Sequence, residues 1–255
     1  MSRREYREWL DERLWRPSRV PGLEVPSDSS PGKWIGERLH PRSFEVRMMV
    51  PDSFESIARI FFPFVGEDIV RDGRVMDNKR ITWAEMARRH GRVAHALMEE
   101  ETICAGSDGE ITEQGVYQVM SMEQHDALWA ILTRHTANSA GWFLLWDGFG
   151  DVDPQPFSAQ VKIDHYARSY HLLRGPFSTL GGFSNAPSYI WPDDRSWCLC
   201  RDTDWSWAYV AGSASCIAEV VGEPVLDAYP TEPANPARSG MDVIHDPQGG
   251  IPRRF

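Results

Sequence analysis

Aspartates are the residues of this chain whose type and spacing best suit chemistry. Three crowd one predicted loop and four flank one predicted strand: Asp147, Asp151 and Asp153, then Asp193, Asp194, Asp202 and Asp204. A hard cation such as Mg²⁺ binds several carboxylate oxygens at one point, so the second set could serve a metal-assisted hydrolase. Aspartate beside glycine or proline is equally typical of turns, and the loop lacks the spacing of an EF-hand. We expect turns here and no bound metal.

Aromatic residues give a second candidate site. Trp205, Trp207 and Tyr209 share one face of a predicted strand, where they could stack on sugar rings or bases if they were exposed. Large aromatic side chains in a hairpin also commonly form the core, which is the alternative interpretation. Arg195 and Arg201 flank the preceding strand, and we expect them to pair with the neighbouring aspartates.

Histidines and cysteines indicate no defined site. His165 and His171 bracket a predicted strand and His135 ends a predicted helix, but the sequence contains no HExxH, GxSxG, Walker A or GxGxxG motif. The four cysteines include no CxxC pair, so a structural zinc site lacks its usual template. Cys216 lies in an apolar helix, where a buried, inert thiol is expected. We therefore predict no cofactor.

The charge of the chain limits its partners. Its 255 residues carry 37 acidic and 27 basic side chains, for a formal net charge of −10. Such a surface repels nucleic acid and anionic membranes, so neither is an expected partner. No apolar stretch approaches the ~18 residues that a membrane span needs, and the N-terminal residues contain no apolar h-region of the kind found in secretory signals. We expect a cytoplasmic protein.

A predicted β-hairpin and helix within residues 189–221 must position most of these side chains. Large and small apolar residues alternate over 197–201, which is the period of a strand buried on both faces. A polar turn and a second aromatic strand follow, and Ser213 is a suitable N-cap for the helix. So much aromatic mass in one hairpin predicts a core, with Trp197 at its centre.

The rest of the chain combines predicted helices and strands. Capping residues predict helices after Thr82 and Ser121, and the apolar pattern from Ser53 to Phe62 predicts another. Residues 65–80 are expected to be turn-rich, and strands are expected over 44–50, 142–146, 159–163 and 168–173. Helices concentrate before residue 136 and strands after it. This order favours an α+β fold: a single domain with a mostly antiparallel or mixed sheet and helices packed on it.

Three parts are expected along the chain: an N-terminal helix and Pro/Ser/Gly-rich arm over 1–33, a globular domain over 34–230, and a Pro/Gly-rich tail over 231–255. The tail is expected to be disordered or to lie over a surface. Linker-like composition separates the amphipathic helix from the domain, so its stripe is a candidate contact with a protein partner or a second copy. Packing on its own domain is the alternative. The stripe consists of Tyr6, Trp9, Leu10 and Leu14.

The order of several motifs resembles that of a group of bacterial hypothetical proteins. The motifs are VPDSFESIARIF, TWAEMARRHG, WFLLWDGFG, YHLLRGPF and, as the most specific, YIWPDDRSWCLCRDTDWSWAYVAG. The resemblance covers most of the chain; it implies a shared fold and transfers no activity, ligand or site residue. More loosely, the α+β order and the Trp- and Gly-rich strands resemble the immunity-type proteins of the SMI1/KNR4 (SUKH) class.

The lack of a catalytic motif, together with two segments that could reach outward, favours a non-catalytic binding or regulatory protein that recognises another protein. The alternative is a metal-assisted hydrolase in which the four aspartates around the strand converge. The residues expected to bind are Asp193, Asp194, Arg195, Asp202, Asp204, Trp205 and Trp207.

Overall fold

The computed structural model describes residues 13–71, 74–104, 115–157, 160–163, 168–238 and 240–248. Within these ranges the α-helices are α1 (Ser30–Glu37), α2 (Trp83–Arg89), α3 (Glu100–Ile103), α4 (Met122–Leu132) and α5 (Ala214–Gly222). The strands are β1 (Ser56–Phe61), β2 (Phe64–Arg71), β3 (Arg74–Ile81), β4 (Ala140–Trp146), β5 (Gln160–Ile163), β6 (Arg168–Pro176), β7 (Tyr189–Pro192), β8 (Trp197–Arg201), β9 (Trp207–Gly212) and β10 (Ala228–Thr231). Short 3-10 helices lie at Pro17–Arg19, Val46–Met48, Thr133–His135, Phe177–Gly182 and Pro224–Leu226.

Eight strands form one sheet in the order β10-β1-β9-β8-β7-β4-β6-β5, and β2 pairs with β3 in a separate hairpin. Neighbouring strands of the large sheet are antiparallel throughout. Helices α4 and α5 pack on one face of this sheet, and α1 packs on the other. The predicted α+β fold is confirmed, and of the two expected kinds of sheet the antiparallel one is found.

Strand β8 lies near the middle of the sheet, between β9 and β7. Its side chains alternate between two buried layers: Trp197 and Leu199 contact the layer of α4 and α5, whereas Cys198 and Cys200 contact the layer of α1. Trp197 is fully buried, and its indole N–H donates to the backbone oxygen of Leu132 at 3.0 Å. The predicted alternation and the central place of Trp197 are therefore confirmed.

Side-chain caps begin the helices at the predicted positions. The hydroxyl of Thr82 accepts from the backbone N–H of Glu85 at 3.0 Å. Ser121 accepts from the N–H of Gln124 at 3.1 Å, and the Gln124 side chain accepts from the N–H of Ser121 in return at 3.2 Å. Ser213 caps α5 in the same way. Each bond satisfies a donor that has no partner inside its helix.

The segment after Ser53 forms β1, so the helix predicted there is wrong. A run that is apolar at nearly every position suits a strand covered on both faces as well as it suits a buried helix, and periodicity alone does not distinguish them. Hydrogen bonding to β9 on one side and β10 on the other decides for the strand. The buried apolar residues of this run are Ile57, Ala58, Ile60, Phe61 and Phe62.

Two further local predictions are wrong. Residues 65–80 form most of the β2–β3 hairpin rather than a series of turns. The strand expected over 44–50 is replaced by a 3-10 helix at Val46–Met48. Phe44 has a left-handed φ of 54°, which is incompatible with an extended strand at that position.

The described part of the N-terminal segment lies against the body. Trp15 is buried, its indole N–H donates to the backbone oxygen of Gly182 at 2.7 Å, and its ring stacks on Phe183 with centroids 5.1 Å apart. Further along, Glu24 and Arg174 exchange two backbone hydrogen bonds of 2.7 and 3.0 Å. The expected linker is thus fastened to the sheet. Burial of a tryptophan at its start outweighs the turn-rich composition that suggested a free arm.

The described part of the C-terminal tail also lies over the body. Ala237 and Met241 are buried, and Asp242 has no exposed surface. A backbone bridge joins Pro236 to Glu45. Of the two alternatives expected for the tail, these residues follow the second, in which it lies over a surface.

The lengths of the helices and the state of the cysteines bear on membrane insertion and on thiol reactivity. Across the described ranges, every helix is too short or too polar to cross a membrane. The four cysteines are buried and unbridged. Burial raises the pKa of the Cys216 thiol to about 11, so it stays protonated near neutral pH, as expected for an inert thiol.

Candidate functional site

A groove crosses one end of the sheet, and tryptophans line it. Its larger part has a cavity volume of about 660 Å³. A smaller part of about 270 Å³ adjoins it, because Asp204 and Trp205 line both. We call this feature the tryptophan groove and define it by Trp146, Asp147, Arg168, Asp202, Asp204, Trp205 and Trp207.

The ends of several strands bring these side chains together. Trp146 is the last residue of β4, and Arg168 is the first residue of β6, which pairs with β4. Strands β4 and β8 both run antiparallel to β7, so they point the same way and end at the same edge of the sheet. The turn after β8 carries Asp204 and Trp205, and Trp207 begins β9. The groove is therefore built at one edge from residues distant in sequence.

Two aspartates clamp Arg168 inside the groove. Its Nη1 donates to both carboxylate oxygens of Asp202 at 2.9 and 2.8 Å, and its Nη2 donates to Asp204 at 2.7 Å. Burial lowers the pKa of Arg168, but the charge and hydrogen bonds of the two aspartates outweigh burial and raise it. Asp202 is buried, whereas the Asp204 side chain is 69% exposed. One carboxylate of the clamp therefore faces solvent.

Trp205 and Trp207 form the aromatic surface of the groove. Their rings stack with centroids 4.8 Å apart and an interplanar angle of 24°, and both residues are half-buried. The buried guanidinium of Arg59 lies 3.9 Å from the Trp207 ring centroid, and Tyr209 meets Trp205 edge-on. The pair is thus held from within, while part of it stays exposed. This result lies between the two predicted alternatives, an exposed stacking surface and a core.

Negative charge surrounds this aromatic surface. Asp147 and Asp204 are exposed in the larger part of the groove, and Glu100 and Glu101 are half-buried in the smaller part. Among the described lining residues Arg168 is the only cation, and the buried Asp202 neutralises it. A positively charged group entering the groove would meet ring faces and carboxylates together, which are the two kinds of group that attract cations.

The predicted residues Asp193 and Asp194 lie at the other end of β8, where they fasten their turn to neighbouring segments. Asp193 accepts hydrogen bonds from the Trp142 indole at 2.7 Å and from Arg174 at 2.8 Å. Asp194 accepts from the backbone N–H of Ser196 at 3.0 Å, and burial, which raises its pKa, is outweighed by such hydrogen bonds, so its pKa is lowered. These carboxylates act as turn formers, the role expected of aspartates in such sequences.

Arg195 adopts a left-handed φ of 53° and lies over the Trp34 ring at 4.8 Å, so it too belongs to this loop. The five residues of β8 separate the two aspartate pairs by roughly 16 Å, at about 3.3 Å per residue. The hydrolase prediction required a single cluster, and the structure divides it. One ion cannot bind all of Asp193, Asp194, Asp202 and Asp204.

Of the predicted binding residues, the groove therefore unites Asp202, Asp204, Trp205 and Trp207. The sequence analysis missed Trp146 and Arg168, whose only signal was their position at predicted strand ends. Of the predicted partner-contact stripe, Leu14 is half-buried next to the body. Its other members, Tyr6, Trp9 and Leu10, lie outside the described residues.

A second group of titratable side chains, two histidines and an aspartate, joins the C-terminal tail to the loop before α3. Nε2 of His95 lies 3.2 Å from Nδ1 of His245, and each nitrogen is within 3.3 Å of an oxygen of Asp242. Thr102 also donates to Asp242. Burial raises the pKa of Asp242, but hydrogen bonds from His95, Thr102 and His245 outweigh it and hold the pKa well below its usual range. The sequence signal for this group was the Asp-x-x-His spacing, which went unnoticed.

The groove and the histidine group have to be interpreted from their own geometry. No family model, no curated protein and no solved structure shows significant similarity to the chain.

Proposed function

We propose that the chain is a non-catalytic binding protein that recognises a basic segment of another protein in the tryptophan groove. The observation that carries the proposal is the stacked, half-buried pair of Trp205 and Trp207 beside the exposed carboxylate of Asp204. A guanidinium or ammonium group on an exposed aromatic face gains about 0.5–1 kcal/mol. A neighbouring carboxylate adds charge-assisted hydrogen bonds to the same group.

The overall charge supports a basic partner. A net charge of −10 attracts cationic surfaces and accelerates their encounter with the groove, whereas it repels nucleic acid and anionic membranes. We infer a regulatory role in the cytoplasm. A second contact, with the partner or with another copy of the chain, would be made by the stripe of Tyr6, Trp9, Leu10 and Leu14.

Binding is the better supported of the two functions considered. The hydrolase alternative depends on four converging aspartates, and those pairs stand at opposite ends of β8. In the groove itself, Asp202 is buried and already paired with Arg168, and the positive charge of that guanidinium disfavours a metal ion beside it. Recognition of a cation by rings and the exposed Asp204 needs no such convergence.

The test measures binding of fluorescent twelve-residue peptides with alternating glycine and arginine, or glycine and glutamate, by fluorescence anisotropy. We expect the arginine peptide to bind and the glutamate peptide not to bind. Asp204→Asn and Trp205→Ala should each weaken arginine-peptide binding about two- to fivefold, because about 0.5–1 kcal/mol is lost with each group. Asp193→Asn is the matched control: it removes the same charge at the other end of β8.

Three results would count against the proposal. Binding that Asp193→Asn weakens as much as Asp204→Asn would indicate general charge attraction. Equal binding of both peptides would show that the charge of the peptide does not determine recognition. Failure of the arginine peptide to bind at low salt would remove the basic partner altogether, since screening is weakest there.

A further inference from the structure

His95, Asp242 and His245 converge although about 150 residues separate the two chain segments that carry them. Their side chains are largely inaccessible: 13% of His95, 7% of His245 and none of Asp242 is exposed. Neither the proposed binding function nor the groove uses them. We propose that these three side chains bind a divalent transition-metal ion, with Zn²⁺ as the best match to two imidazoles and a carboxylate.

The spacing of the ligand atoms agrees with one shared ion. Zinc binds imidazole nitrogen at about 2.0–2.1 Å with tetrahedral angles, which requires ligand atoms about 3.3–3.4 Å apart. The facing nitrogens of His95 and His245 are 3.2 Å apart. Asp242 places one oxygen 3.3 Å from the first nitrogen and the other 3.0 Å from the second. Three protein ligands leave a fourth position for water.

The surrounding charge also tolerates a cation. Glu99 is buried beside the group, where its carboxylate accepts the backbone N–H of Gly240 at 2.8 Å and of Asp242 at 3.2 Å. The buried Arg59 contacts the chain neighbours of the ligands, donating to the backbone oxygen of Ala96 at 2.7 Å. The two carboxylates outnumber the one guanidinium, so an entering cation meets a net negative charge.

In the absence of metal, the two histidines make hydrogen bonds that zinc binding would have to break. The backbone N–H of Leu97 donates to Nδ1 of His95 at 3.1 Å, and that of Val93 donates to Nε2 of His245 at 3.2 Å. The ring protons therefore lie on the two facing nitrogens, where they point toward the carboxylate of Asp242. A nitrogen that binds metal cannot carry a proton, so each neutral ring must be protonated on its other nitrogen instead. That nitrogen then no longer accepts the hydrogen bond from the backbone N–H.

The free energy of zinc binding is expected to exceed the free energy of the hydrogen bonds that are lost. Losing one net hydrogen bond weakens affinity by about tenfold, and losing two weakens it by about a hundredfold. Structural zinc sites with four protein ligands reach apparent dissociation constants of about 50 nM or below. Taking the weakest of these as the reference for three ligands, a hundredfold loss leaves a micromolar constant. Val93 is 70% exposed, so its backbone N–H can turn to water when it is displaced. The metal would then fasten the tail to the loop before α3.

The experiment titrates chelator-treated full-length protein with ZnCl₂ in a calorimeter and records melting curves with Zn²⁺ or Mg²⁺. We expect one Zn²⁺ per chain with a micromolar constant. At a free concentration about a hundred times this dissociation constant, Zn²⁺ should raise the midpoint of thermal unfolding by about 5–10 °C, because it binds only the folded chain. Mg²⁺ should not, since it prefers oxygen ligands. Absence of zinc heat and of any midpoint shift would overturn the proposal.

Variants locate the site. His95→Gln and His245→Gln should each weaken zinc binding by at least about tenfold. The matched control is His40→Gln, which removes an exposed histidine paired with Asp52 at 2.9 Å and should bind as the wild type does. Zinc binding that survives His95→Gln would overturn the assignment.

A measurement on the wild type alone keeps the proposal testable if a variant does not fold. Long-range ¹⁵N spectra report both ring nitrogens of each of the eight histidines. Without metal, the facing nitrogens of His95 and His245 should carry the protons. Zinc should move the signals of these two rings and leave the others in place. Movement of other histidines instead would show that the ion binds elsewhere.

Discussion

The two ends of β8 carry similar acidic pairs, but their surroundings give them different roles. At the start of the strand, Asp193 accepts a hydrogen bond from Trp142 of β4, and Asp194 accepts hydrogen bonds from Ser196 in its own turn and from Thr136. At its end, Asp202 is buried against Arg168, while Asp204 shares the same arginine and stays 69% exposed beside the stacked tryptophans. The first end stabilises the fold, and the second combines stabilisation with an exposed, cation-attracting surface.

At the second end, burial rather than residue type separates a structural carboxylate from one that is accessible to a ligand. Asp202 and Asp204 are two residues apart and contact the same guanidinium. Only Asp204 retains solvent access, because its turn projects beyond the end of the sheet. Substitutions along β8 and at both of its ends should therefore separate stability from binding.

The largest effect is expected from Trp197→Ala, which disrupts the strand that joins the two ends. Trp197 has no exposed surface and packs its ring near Trp129 and Phe177, with centroids 5.6 and 5.3 Å away. Truncation should lower the free energy of unfolding by about 3–5 kcal/mol, as for large aromatic deletions in packed interiors. Urea denaturation measures it. A midpoint that barely moves would mean that β8 does not hold the two ends in place.

A smaller effect is expected when the buried carboxylate is removed, and it should differ between the ends. Asp202→Ala leaves the Arg168 side chain, which is 15% exposed, with Asp204 as its remaining carboxylate, and should cost about 2–4 kcal/mol. Asp194→Ala removes exposed loop bonds and should cost about 1 kcal/mol. Urea denaturation of both variants makes the comparison. Equal losses would contradict the distinction by burial.

The framework of the fold was predictable where local chemistry and tertiary packing agree. Thr82 and Ser121 cap their helices because their hydroxyls satisfy donors within three residues, which a sequence displays directly. The segment after Ser53 was not predictable, because its apolar residues suit a helix and a doubly covered strand alike. Only pairing with β9 and β10, about 150 and 170 residues later, decides between them. Trp15 illustrates the same limit, since the partners that bury it lie far along the chain.

The candidate site was predictable in part for the same reason. Asp202, Asp204, Trp205 and Trp207 are close in sequence, so the turn after β8 brings them together without help from the rest of the fold. Arg168 joins them only because β6 begins at the edge where β8 ends. Asp193 and Asp194 were grouped with them because they flank the same predicted strand, although the five residues of that strand hold its two ends roughly 16 Å apart.

The smallest effect on stability is expected from Asp204→Asn, and it is the sharpest test of the comparison. An exposed ion pair contributes about 0.2–1 kcal/mol, and Arg168 keeps its two hydrogen bonds to Asp202 in this variant. The urea midpoint should therefore change by no more than Asp193→Asn changes it. Binding of the arginine peptide should nevertheless fall, since the exposed carboxylate beside Trp205 is lost. If Asp204→Asn destabilises the fold as strongly as Asp202→Ala while peptide binding is unchanged, this end of β8 is structural, like the other.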